Sequence, residues 1–183
     1  MKSRIQKILA GSGGSEIAEA ALVLPLVFMV LLAIYWFGRA FNVYATINHA
    51  AREGARYAVA QSCASCGNSA PTVANIASQV GQAMQASGLN PAMAGTGTAT
   101  PPACGGAGVA TCTTASGSGV PAIQYCTNVQ LVNTITSPLT GAGAPACGIS
   151  IDFTYPYQMP LPFTSLNQQQ LTLTAHVQMR AEQ

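Results

Sequence analysis

Apolar residues are massed at one end of this chain and alternate with polar ones at the other. Between Glu19 and Arg39, the run Ala20–Gly38 holds 19 residues without a charged side chain, and a bilayer core takes about 20 residues of helix. The run predicts one transmembrane helix at 20–38, with Tyr35 and Trp36 suited to the interface at its far end. Pro25 lies inside it, removes a backbone donor and leaves the Ala21 carbonyl without its helical partner. Membrane helices tolerate such a proline, so it serves either subunit packing or nothing specific.

The helical period continues past Arg39. Tyr44, Ile47, Ala51, Gly54 and Ala58 recur at three- and four-residue spacing, and Asn42, Thr46, His49, Glu53 and Arg56 form a polar row on another face. One helix over 15–60 follows, and its 46 residues would extend about 70 Å, more than twice the hydrocarbon thickness. Half of it would stand outside the membrane. Ala50, Ala51, Gly54, Ala55 and Ala58 keep the apolar row small, which permits close approach of another backbone. Glycine inside a helix costs about 1 kcal/mol relative to alanine, so Gly54 marks a place where contact is wanted, with the outer domain or with a partner subunit. Glu53 has Arg56 and His49 within reach on the same helix, pairs worth only about 0.2–0.5 kcal/mol when exposed.

A second, shorter helix is predicted within 71–89, where Val73, Ile76, Ala77, Val80 and Met84 keep helical spacing and Gly88 or Asn90-Pro91 ends the pattern. From about 91 to 121 the chain is almost purely Gly, Ala, Thr, Ser and Pro, which predicts a long loop without a core, clipped by Cys104 and Cys112. The last third reads as strands. Ile149, Ile151, Phe153 and Tyr155 alternate with Ser150, Asp152 and Thr154; Leu171, Leu173, Ala175, Val177 and Met179 alternate with Thr172, Thr174, His176, Gln178 and Arg180. Each has one dry and one polar face, and an antiparallel pairing is the economical one. A third strand is expected around Ile123–Val129. The fold class is α+β: a long N-terminal helix followed by a small antiparallel sheet with one extra helix. The expected organisation is a basic segment 1–14, the helix 15–60 and an outer domain 61–183.

Only 7% of the 183 residues are charged, against about 25% in an average soluble protein. A net charge of +2, with no basic cluster among aromatics, excludes a nucleic-acid partner. Lys2, Arg4 and Lys7 precede the span with no acid before Glu16, so the N-terminus is expected in the cytoplasm and the outer domain beyond the membrane. The six cysteines, Cys63, Cys66, Cys104, Cys112, Cys126 and Cys147, all lie in that outer part and suit an oxidising compartment. Cys63 and Cys66 form a CxxC, but no second pair has zinc-knuckle spacing, and the motif follows a helix instead of opening one. Structural disulfides are expected, paired 63–66, 104–112 and 126–147. His49, His176 and Asp152 are not accompanied by a spaced nucleophile or second carboxylate, so no enzyme, metal, cofactor or small-molecule substrate is expected.

The edge of the span carries the functional signal. Gly14 and Ser15 are followed by Glu19 immediately before the apolar run, the pattern of a type IV prepilin-like leader cut after glycine; Gly11, Ser12 and Glu16 offer a second register. Glu19 in a bilayer or helix bundle costs about 2.5–3.5 kcal/mol or more unless paired, and the new amine of a neighbouring subunit would supply the partner. With "EAALVLPLVFMVLLAIYWFGRAF" (19–41) and "NHAAREGARYAVA" (48–60), the sequence resembles the TadE-like pseudopilins, or minor pilins, of the tight-adherence (Tad/Flp) pilus and secretion machinery. Leu22-Val23-Leu24-Pro25 and the segment Ala51, Arg52, Glu53, Gly54, Ala55, Arg56, Tyr57, Ala58 are the specific parts, and Ala20 stands where the family usually has an aromatic residue. The resemblance implies a pilin-like fold and a non-catalytic role in assembling a pilus or secretion filament. It also implies a prepilin peptidase, other Tad pilins and the inner-membrane assembly platform as partners. It places the chain in a bacterial inner membrane as a single-pass protein, with incorporation in an extracellular pilus open. An uncleaved single-pass envelope protein with a partner-binding outer domain is the alternative, and a periplasmic thiol redox protein a third reading.

Overall fold

The computed structural model describes residues 13–60, 71–104, 109–131, 147–158 and 170–180, with side chains from Ile17 onward in the first of these. Helix α1 runs Gly13–Ala60 without a break at Pro25. Helix α2 spans Val73–Ala86. Strands β1 (Gly95–Thr96), β2 (Thr111–Gly117), β3 (Val120–Gln130), β4 (Cys147–Gln158) and β5 (Gln170–Arg180) complete the chain. The chain divides into two compact units, Met1–Phe41 and Asn42–Gln183. The boundary thus falls inside α1 and not at its end, because the apolar face from Val43 onward is buried within the second unit.

In the first unit the described side chains of α1 are largely exposed, Leu22 at 74% and Phe37 at 77% among them. The helix is long and apolar enough to cross a membrane, and one such helix fits a single-pass membrane protein.

In the second unit α2 begins where Thr72 caps it, its side chain accepting from the Asn75 amide at 3.3 Å. It ends as Gly88 turns to φ +76° and the Leu89 and Gly88 amides donate to the Met84 and Gln85 carbonyls at 3.0 and 2.9 Å. That pair of bonds satisfies carbonyls the helix would otherwise leave open, and glycine takes the left-handed position without steric cost. Ile76, Ala77, Val80, Gly81 and Met84 form its buried face.

The sheet is antiparallel throughout. β4 is its centre: β5 pairs along one edge from Gly148↔Arg180 to Gln158↔Gln170, and β3 followed by β1 occupies the other edge. β2 lies outside β3. The pairing of the two C-terminal strands and the strand around Ile123–Val129 agree with the sequence pattern. Asn128, at φ 57°, sits in the irregularity between Cys126 and Val129, a conformation asparagine takes more readily than most residues. Burial pushes the Tyr125 hydroxyl above its ordinary pKa by desolvation.

Two expectations are corrected here. The stretch 91–121 is not one coreless loop: it contains a 3-10 turn at Pro91–Met93, β1 and the seven-residue β2. Strand pairing with β3 organises β2 although its side chains carry no apolar alternation. The cysteine pairing also differs, since Cys112 bonds Cys126 and Cys104 bonds Cys147. Cys112 and Cys126 stand directly opposite in the β2–β3 register, 4.0 Å between Cα atoms, whereas the segment at Cys104 is tied to the end of β3 through its amide on the Asn128 carbonyl at 2.9 Å. Cys63 and Cys66 lie outside the described residues. The two bridges close separations of 14 and 43 residues, and chain-entropy arguments assign such loops about 3 and about 4 kcal/mol.

Peptide mapping of the unreduced protein is expected to recover Cys112–Cys126 and Cys104–Cys147 fragments. Joint replacement of Cys112 and Cys126 by serine is expected to destabilise the outer unit by about 3 kcal/mol in denaturant unfolding; a fragment linking Cys104 to Cys112 would contradict the register.

Candidate functional site

The residues singled out in sequence lie at two places on α1. Gly14, Ser15 and Glu16 fall in its first turns, and Glu19 is exposed on the helix just before the apolar run. Gly11 and Ser12 are outside the described residues. Farther along, Tyr35 and Trp36 meet edge-on with ring centroids 5.2 Å apart.

The second place is a packing face in the outer unit. Ile47, Ala50, Ala51 and Ala55 are fully buried, Val43 and Ala58 nearly so, while Tyr44 is 45% exposed although it shares their spacing. At Gly54 the helix backbone lies close against its surroundings. A Cβ there would run into Val80 Cγ2 of α2 and stand 3.3 Å from Ile151 Cδ1 of β4. The small-residue segment therefore docks on the protein's own α2 and β4. Arg52 and Arg56 remain exposed, and Tyr57 is half-buried. Glu53 lies 3.5 Å from Arg56 and 4.0 Å from His49, whose side chains are each 71% exposed; water screens such contacts heavily.

A third cluster was not anticipated. Ser150 and Asp152, on the expected polar face of β4, are 1% and 3% exposed. The chain after β1 covers Asp152: the Ala99 amide donates to Asp152 Oδ2 at 2.9 Å, and a Cβ at Gly97 would run into the Asp152 carboxylate. His176, directly opposite on β5, places Nδ1 3.9 Å from Asp152 Oδ1. Asp152 is the only Asp, Glu, Lys or Arg between Arg56 and Arg180, so a lone charge in a neutral stretch was the signal that could have marked it. Its chemistry is that of an anchor. Among the described residues Ser150 Oγ, two residues away on the same face, is buried without a hydrogen-bond partner, so these residues do not link serine, histidine and aspartate as a nucleophile, base and orienting acid would be. Among the described residues no group of three or more His, Cys, Asp or Glu is placed to hold a metal.

These features define a class first: a single apolar helix of membrane-crossing length that continues into a small α+β unit and is packed there through small residues. Residues 14–56 match the family model of the TadE-like proteins, and over that segment the chain is similar to that family. The match covers 43 of the 183 residues and includes both the apolar run and the Gly54 face. No curated protein and no solved structure matches the chain.

Gly54→Leu is expected to destabilise the outer unit by about 1–3 kcal/mol through overpacking against Val80 and Ile151, read by thermal or denaturant unfolding; an unchanged midpoint would remove the docking role. Asp152→Ala is expected to leave the Ala99 amide without its acceptor at a cost of about 1–3 kcal/mol, and amide exchange at Ala99 should accelerate relative to the centre of β4.

Proposed function

We propose that the protein is a pseudopilin, or minor pilin, that takes part in assembling a Tad/Flp-type pilus or secretion filament in a bacterial inner membrane. The observation that carries this reading is the TadE-like match over residues 14–56, on a helix that joins an exposed apolar run to a packed outer unit. In this reading a prepilin peptidase removes 1–14 on the cytoplasmic side, after Gly14. Ser15 then carries a free amine, and the carboxylate of Glu19 on one subunit receives the amine of its neighbour. In lipid an uncompensated carboxylate is costly enough that such pairing sets the stagger between subunits. Pro25 lies in the same segment and opens a backbone carbonyl for packing between helices. The positive residues Lys2, Arg4 and Lys7 hold the N-terminus in the cytoplasm, and the disulfide-bonded unit faces the periplasm, where such bonds persist. The role is structural, and other Tad pilins with the membrane assembly platform are its partners.

The test is the intact mass and N-terminal sequence of protein recovered from host membranes. A chain that begins at Ser15 is the expected result, and Glu19→Ala should then leave processing in place while preventing recovery of the protein with filament components. A chain that begins at Ser12 would move the register to Glu16. One that begins at Met1 would overturn the pseudopilin assignment in favour of an uncleaved envelope protein.

A further inference from the structure

The two outermost strands of the sheet differ in how they present their edges. β2 has seven residues, shifts register between Ala115 and Gly117 and is preceded by isolated bridges at Pro102↔Val109 and Ala103↔Val129. Shortness and irregularity are the devices by which proteins keep an edge from templating another strand. β5 has neither. Its eleven residues pair with β4 in unbroken register from Gly148↔Arg180 to Gln158↔Gln170, and QLTLTAHVQMR contains no proline, glycine or lysine, its one charge being Arg180 at the end. Among the described residues no strand pairs with its outer edge. A regular row of backbone donors and acceptors of this length accepts an added strand.

The strand that fits is β5 itself. In an antiparallel self-pairing centred on Ala175, Leu171 opposes Met179 of the second copy, Leu173 opposes Val177, Thr172 opposes Gln178, Thr174 opposes His176, and Gln170 opposes Arg180. Apolar positions meet apolar ones, polar meet polar, and no like charges face each other. The dry face of β5 is also incompletely covered: Leu171 is 46% exposed, and Leu173, Val177 and Met179 are half-buried. Pairing of this kind is closed by its two-fold, which leaves no further β5 edge to propagate. Within β5 the only Asp, Glu, Lys or Arg is Arg180, which this register sets opposite Gln170, so the seam itself brings no two such charges together.

We propose that β5 is a self-complementary docking edge, at which two copies of this chain pair antiparallel through residues 170–180 and continue one sheet across both outer units. This partner is a second copy whatever the fate of the leader, so the result is read separately from the processing experiment. The test uses the full chain in detergent micelles, with mass followed by light scattering over a dilution series. Alongside the wild type run Thr172→Lys/Thr174→Lys, both on exposed positions of β5, and Thr114→Lys on the exposed side of β2. The double variant brings four lysines to the seam of two copies. A wild-type dimer is expected, weakened about tenfold or more by the β5 variant and unaffected by the β2 variant, with all three keeping the wild-type circular dichroism spectrum. Amide protection across 170–180 should fall on dilution of the wild type. A wild type that is monomeric throughout, a dimer that survives the β5 lysines, or protection of β5 independent of concentration would each overturn the proposal; the last still decides if the β5 variant fails to fold.

Discussion

Gly54 is where α1, α2 and β4 converge, and the missing side chain is what allows it. Val80 and Ile151 occupy the space a Cβ would need, so the helix backbone itself forms part of the core. With Ala50, Ala51, Ala55 and Ala58 beside it, the face is low enough for the sheet and a second helix to close on it together. Small residues give up the large apolar area that leucine or phenylalanine would bury, and apart from Ile47 of α1 the larger core side chains come from the other elements: Ile76, Val80 and Met84 from α2, Ile123 from β3, Ile151 and Phe153 from β4. The helix contributes position more than bulk.

β4 follows from the same arrangement. One face meets the helices, and the other is roofed by the chain at Gly97–Ala99, held to Asp152. A strand covered on both sides needs its polar positions satisfied internally, and the Ala99 amide does this for one carboxylate oxygen. The sequence alternation at 149–155 was correct about geometry and wrong about solvent. Period 2 tells which side chains share a face; it does not tell what later lies on that face, and the roof comes from a Gly/Ala/Thr segment more than fifty residues earlier in the chain.

The long helix, the amphipathic short helix and the C-terminal hairpin were legible because each is written in periodic apolar residues. β2 was not, since Thr111, Thr113 and Thr114 carry no apolar alternation and the strand is defined by its partner β3. The disulfides were hidden for the same reason: Cys112 and Cys126 become opposite only once the β2–β3 register is known. At Gly54 the sequence showed that contact was wanted but left two candidates for it, and α2 with β4 is the one the fold supplies. The leader, the alternative glycine at Gly11 and the CxxC at Cys63–Cys66 lie beyond what the described residues address.

The neutrality of the stretch between Arg56 and Arg180 has a kinetic side. Charged surfaces draw partners together over distances set by the Debye length, about 8 Å at physiological salt, and raise encounter rates by orders of magnitude. A stretch whose one acid is roofed over adds little to the field of the charges at its ends, Arg52, Glu53, Arg56 and Arg180. Encounters over such a stretch gain little from electrostatic steering. Confinement supplies frequency: a chain tethered by its apolar helix searches a plane instead of a volume, at high effective concentration and with part of its orientational freedom already removed. For a helix held in a membrane, the anchor would do for association what charge does in a freely diffusing protein.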